Sequence, residues 1–268
     1  MKLAITGKGG VGKTTLAALL AQVYADAGRV VLAADADPSP CLAGALGFPA
    51  ELRARLRPIA EMDDLIEERT GAKPGTVGGF FKINPRVDDI PDRFSVTHRG
   101  VRLLEMGAVD LGGSGCICPE SAMLKTLLTH LLFRKDEVLI LDMYAGVEHL
   151  GRATVDFVDA MLVVVEPTRR SLATAAQIKE LASHIGLTRL WLVGNKVRTP
   201  EDRGFVEANS PGLPVLGHLP YTPLAQEADR AGEAAYDTIP QMVEAARSIA
   251  ATLEKQLVAQ GVSATGQP

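Results

Sequence analysis

Gly7-Lys8-Gly9-Gly10-Val11-Gly12-Lys13-Thr14 satisfies the spacing G-x-x-x-x-G-K-[ST], and it lies between an apolar strand pattern, Lys2–Thr6, and a helical pattern, Lys13–Ala27. A strand, a glycine loop and a helix in that order constrain the fold more than any other feature of the chain. Glycines allow a tight turn whose amide N–H groups point inward at phosphate oxygens. The helix that follows adds the positive end of its dipole. The pattern predicts a phosphate cradle formed by Gly9, Gly10, Val11, Gly12, Lys13, Thr14 and Thr15. Lys13 would reach the β- and γ-phosphates of a nucleotide, and the Thr14 hydroxyl would sit on Mg²⁺.

Short apolar runs then alternate with helical patterns, as in a parallel sheet covered by helices. The strands expected are Lys2–Thr6, Val30–Ala34, Val101–Glu105, Val138–Asp142, Met161–Val165, Leu190–Val193 and Val215–His218. Val138–Leu141 and Leu162–Val165 are apolar throughout, which suits strands buried on both faces. Helices are expected at Lys13–Ala27, Glu120–Leu132, Ser171–Ile185, Leu224–Ala231 and Pro240–Gln256. The fold class is therefore α/β: a three-layer P-loop NTPase with a mostly parallel central sheet flanked by helices. Residues 1–256 read as one ATPase domain. Residues 48–100 are an excursion within it, with a charged helical piece at Glu61–Arg69 and a Gly/Pro-rich segment at Lys73–Pro91. Residues 257–268 read as a disordered tail.

Composition narrows the function classes. A net charge of −4 excludes a broad basic nucleic-acid surface, and aromatics at 4% leave little for base stacking. No apolar run reaches the ~18 residues of a membrane span, and the N-terminus enters the glycine loop too early for a secretory signal. A reducing cytoplasm is the expected compartment. Three cysteines, Cys41, Cys116 and Cys118, are too few for a disulfide framework.

Asp142 ends a buried strand, and an acid at that position in a doubly wound sheet overlooks the phosphate loop and can hold Mg²⁺, usually through water. Gly194-Asn195-Lys196-Val197-Arg198 follows another strand end. Guanine-reading NTPases carry Asn-Lys-x-Asp there. Arg198 stands in place of the aspartate, so ATP is favoured. Asn195 is a candidate adenine contact, or alternatively a turn residue, and the backbone near Pro220 is a second candidate.

With its second lysine, Lys8, the glycine loop resembles the deviant Walker A loop of the MinD/ParA/nitrogenase-iron-protein ATPases. The resemblance implies that Lys8 crosses a face-to-face homodimer to the partner's nucleotide and acts with Lys13 in catalysis. Ala34-Asp35-Ala36-Asp37-Pro38 resembles the first switch of that family. It implies that Asp37 orients or deprotonates the attacking water and shares the Mg²⁺ shell with Thr14 and Asp142, partly through water. Asp35 would support the loop and the Mg²⁺ water shell. Asp142-Met143-Tyr144-Ala145-Gly146 resembles the second switch, in which the Gly146 amide senses the γ-phosphate. Tyr144 replaces the proline common in relatives. Glu148-His149 reads as dimer or switch contacts in preference to a metal pair.

Gly115-Cys116-Ile117-Cys118-Pro119-Glu120 places two thiols just before a helix N-terminus, where the positive potential favours thiolate, the metal-binding form. Two thiolates under-coordinate a metal. A two-fold dimer would supply four, suited to Zn²⁺, Ni²⁺ or an iron–sulfur cluster. Two buried or redox-reactive cysteines without metal are the other reading. Cys41 reads as a small buried residue.

From Met106 through Glu120 and from Asp142 through Arg152, the sequence resembles CooC-type carbon monoxide dehydrogenase accessory ATPases, a likeness that extends from Met1 to about Gln256. The cysteine segment lies where the nitrogenase iron protein carries a cluster ligand between subunits. The resemblance implies an ATP- and Mg²⁺-dependent hydrolase that dimerises on ATP or metal binding. It would hold Ni²⁺ (or Zn²⁺ in vitro) at Cys116 and Cys118 and serve carbon monoxide dehydrogenase as client, with no nucleic acid or membrane partner. The competing class is a ParA/MinD-like positioning switch without metal. Its membrane form needs a basic amphipathic C-terminus, and Ile249–Gly261 carries one lysine.

Overall fold

The computed structural model describes residues 1–76, 80–107, 118–135, 137–144 and 155–262. Eight strands form one sheet: β1 (Lys2–Gly7), β2 (Val31–Ala36), β3 (Val96–His98), β4 (Val101–Glu105), β5 (Val138–Met143), β6 (Ala160–Val165), β7 (Leu190–Val197) and β8 (Val215–Pro220). Their order is β3-β4-β2-β5-β1-β6-β7-β8. All neighbours are parallel except β3 and β4, which pair antiparallel. This is the expected α/β architecture. Every residue of β1, β2, β5 and β6 is buried, in line with the apolar runs Val138–Leu141 and Leu162–Val165.

Alternate side chains feed two cores. Leu3, Ile5, Val31, Ala33, Val138 and Ile140 join Trp191 and the helices Lys13–Asp26 and Pro240–Ala259 on one face. Ala4, Leu32, Leu139 and Leu141 join the helices Asp63–Thr70, Pro119–Phe133 and Arg169–Ile185 on the other. Each fully buried leucine contributes about 1.5–3 kcal/mol.

The structure differs from the sequence expectations at several points. β3 is a three-residue strand, too short for alternation to reveal. It turns into β4 through Arg99 and Gly100, both at positive φ. The helix Pro200–Ala208 is also unanticipated. Its local signal is a cap: the Thr199 hydroxyl accepts from the Asp202 amide, and Pro200 occupies the first turn. The helical piece expected at Glu61–Arg69 is a 3-10 turn, Ile59–Glu61, followed by a helix, Asp63–Thr70, stopped by Gly71 in the left-handed region. Residues 257–259, expected in the tail, belong to the last helix. The last helix runs to Ala259 because Leu257 lies one turn beyond Leu253 on the same stripe, and both are fully buried.

Among the described residues no helix is long and apolar enough to cross a membrane.

Candidate functional site

The phosphate loop leaves the C-terminal end of β1, which lies between β5 and β6. Two glycines are fixed by geometry. Gly7 sits at φ +147°, where a Cβ would strike the Val164 carbonyl oxygen of β6. Gly12 sits at φ +94°, with the Asn195 amide where a side chain would go. The helix Lys13–Asp26 then starts with no side-chain cap, so its first amides remain available to an anion. Lys13 is buried, Thr14 and Thr15 are half-buried, and Lys8, Gly9 and Gly10 are exposed.

Three acids stand in one row at the ends of adjacent strands. Asp35 on β2 is in register with Glu105 on β4 and Asp142 on β5. Asp35 is fully buried and satisfied: Oδ1 accepts from the Asp37 amide at 3.1 Å, and Oδ2 accepts from the amides of Cys41 and Leu42, both at 2.9 Å. It is the knot of the loop that carries Asp37, the supporting role expected of it. Asp37 is half-buried, and its Oδ1 accepts from the Ser39 amide at 2.9 Å. Asp142 is 1% exposed, and no well-formed hydrogen bond reaches its oxygens, although the Thr14 hydroxyl lies beside them. Burial raises it to about 7, with Asp35 and Asp37 adding to the rise and Thr14 and Lys13 opposing it. Burial likewise raises Glu105, with help from Asp35 and Glu61. A buried carboxylate beside a hydroxyl and two further acids fits a hard, hydrated dication. Asp142 and Thr14 are the residues that would hold Mg²⁺.

On the other side of the loop, Asn195 is 4% exposed and spent inside the protein. Its Nδ2 donates to the Val11 carbonyl at 2.7 Å, and its Oδ1 accepts from the Lys196 amide at 2.8 Å. Its position therefore makes it a brace of the phosphate loop. Pro220 ends β8 opposite Val197. It lines a cleft of about 550 Å³ together with Val197, Arg198, Arg203, His218 and Glu244. The Arg198 guanidinium lies over the Tyr221 ring, 4.1 Å from its centre.

Cys118 is the residue before the helix Pro119–Phe133, in extended conformation, with Pro119 first in the helix. Its Sγ donates to the Ser121 Oγ at 3.0 Å, and it borders a groove shared with Ile83, Lys125 and Thr129. Cys116, Gly146, Glu148 and His149 lie outside the described residues. Among the described residues no three His, Cys, Asp or Glu side chains gather as a metal site. Cys41 is exposed, against the buried position expected. Asp35 takes its amide, and its Sγ turns outward to the Ser39 carbonyl at 3.2 Å.

Sequence pattern does not single out Glu105, Tyr221 or the pair Glu166–Lys196. Glu105 and Glu166 were legible only as acids at strand ends. Tyr221 and Lys196 need the β7–β8 pairing to acquire a place.

The profile of the CobQ/CobB/MinD/ParA nucleotide binding domain matches residues 2–235. The chain is 47% identical over 264 residues to the carbon monoxide dehydrogenase accessory protein CooC of Rhodospirillum rubrum, covering 98% of this chain and 100% of that one. It is 49% identical over 224 residues to an uncharacterized ATP-binding protein of Methanocaldococcus jannaschii, covering 82% and 85%. Among solved structures, the septum site-determining protein MinD complexed with Mg-ADP from Pyrococcus horikoshii has the same fold. The TM-score is 0.66 at 19% identity, over 96% of each chain.

Proposed function

The chain belongs to the CooC-type branch of the CobQ/CobB/MinD/ParA nucleotide-binding family, and from that premise we propose that this P-loop ATPase loads nickel into carbon monoxide dehydrogenase. Two subunits close face to face around ATP. Lys13 and the amides of residues 9–15 bind the phosphates, and Lys8 crosses to the partner's nucleotide. Asp37 orients a water and takes its proton as the water attacks the γ-phosphorus. The bond from that phosphorus to the bridging oxygen breaks, giving ADP and phosphate. Thr14 and Asp142 would hold Mg²⁺, which would neutralise charge on the phosphates. Cys116 and Cys118 of each subunit receive Ni²⁺, the cargo, as four thiolates at the dimer axis, and hydrolysis loosens them. Such a site requires a reducing cytoplasm.

The observation that supports this reading best is the position of Cys118 in extended backbone against a helix N-terminus, in a chain 47% identical to a carbon monoxide dehydrogenase accessory protein. Metal and ATP should tighten each other's binding, since each favours the closed state. The test is the metal stoichiometry and oligomeric state of wild type and the Cys116→Ser/Cys118→Ser variant, with and without ATP. One Ni²⁺ or Zn²⁺ per dimer, lost in the variant, supports it. Metal bound equally by the variant removes the cysteine site, and metal affinity indifferent to ATP removes the coupling.

A further inference from the structure

Asn195 and Lys196 are consecutive, yet both side chains reach the phosphate loop. In a regular strand successive side chains point to opposite faces. The exception arises from a bulge. Gly194 pairs with His218 and Val197 with Pro220, so β7 spends two residues, Asn195 and Lys196, where β8 spends one. Lys196 takes up the extra length in the left-handed region at φ +57°, an uncommon conformation for a residue with a side chain. The outcome is a double anchor. Asn195 Nδ2 donates to the Val11 carbonyl at 2.7 Å, and Lys196 Nζ donates to the Gly10 carbonyl at 2.8 Å. Lys196 is ion-paired in turn to Glu166, the residue after β6.

A trans peptide points its C=O and the next N–H in opposite directions. Holding the Gly10 and Val11 carbonyls on the outer side fixes the two peptide planes that carry the Val11 and Gly12 amides, and the Val11 amide closes the loop on the Lys8 carbonyl at 3.4 Å. We infer that Lys196, held by Glu166, is a positioning residue that presets the phosphate loop for nucleotide, and that the left-handed bulge exists to aim it. Backbone strain of this kind persists where the surrounding structure enforces it and a site uses it. The inference rests on the ATPase reading.

Four variants test it by ATP titration, steady-state kinetics and thermal melting. Lys196→Met should raise the ATP Kd and KM about tenfold, the loss of a charged hydrogen bond, with kcat within about twofold. Lys196→Arg should restore most of the affinity. Lys196→Gly removes the ammonium but relieves the backbone, so it should melt no lower than wild type and still bind ATP about tenfold more weakly. Glu166→Gln added to Lys196→Met should bind ATP more tightly than Lys196→Met alone, because the single variant leaves the Glu166 carboxylate without its cation next to the phosphate loop. Wild-type ATP affinity in the Met and Gly variants would overturn the inference. Failure of the wild type itself to bind ATP would instead overturn the ATPase reading.

Discussion

Asp35 and Asp142 stand side by side in register on adjacent strands, both buried, and only one of them is satisfied. Asp35 holds three backbone amides, while no well-formed hydrogen bond reaches the oxygens of Asp142. The first is built to organise a loop and the second to meet a cation.

Asp142 makes stability depend on pH in a defined sense. Its folded value is raised from 3.8 to about 7. Between those values the folded protein keeps a proton that the unfolded chain has released. Without Mg²⁺, stability therefore falls as pH rises through that window and levels off above it. Asp142→Asn removes the penalty. At pH 8 it should be more stable than metal-free wild type by on the order of 2–4 kcal/mol, with the difference vanishing toward pH 4. Mg²⁺-dependent hydrolysis should be lost in the same variant. Thermal melts across pH, with EDTA, check this; a destabilised Asn variant at pH 8 would refute it.

Asp35→Ala should act on Asp37 at a distance. Three amides lose their acceptor, two of them in the turn at Cys41 and Leu42. The expected cost is about 2–4 kcal/mol, seen in urea melts, together with a fall in kcat larger than any change in ATP affinity. An unchanged kcat would show that the Asp37 loop keeps its shape without the knot.

Lys8 is exposed on the loop, and the hydrogen bond it gives the loop, from the Val11 amide to its carbonyl at 3.4 Å, is a backbone one that survives truncation of the side chain. Lys8→Ala should bind ATP within about twofold of wild type and hydrolyse it about a hundredfold more slowly, as loss of a charge-stabilising donor does. Mixing Lys8→Ala with an Asp37→Ala variant should restore one working site in mixed dimers. No recovery on mixing would argue against donation across the dimer.

Arg198 stacks on Tyr221 where guanine-reading proteins carry an aspartate. Its donors oppose the N–H groups of guanine. Arg198→Asp should shift the ATP-to-GTP affinity ratio toward GTP by about tenfold or more, the scale of a lost or gained base-edge pair. A competition titration with both nucleotides reads it directly. An unaltered ratio would mean that the base is selected elsewhere.

The sheet, its flanking helices and the phosphate loop were legible because each rests on local periodicity or on one contiguous motif. β3 was not, since three residues carry no period and exist as a strand only beside β4. Asn195 was legible as a residue near the loop, but its hold on the Val11 carbonyl was not. Sequence brings it to a strand end, whereas only the bulge decides that its amide turns to Val11. Cys41 misled for a related reason: cysteine composition argues for burial, but Asp35 captures its backbone and leaves the thiol outside.

The contact between Gly12 and Asn195 also limits how such a chain can drift. Any side chain at position 12 would meet the Asn195 amide, and a left-handed backbone there resists a Cβ in its own right. Exchanging Asn195 for a smaller residue would clear the space but orphan the Val11 carbonyl. Neither site has a single-step escape. The two positions, 183 residues apart, should change together or not at all across descendants of this protein, as one unit of inheritance written in two places.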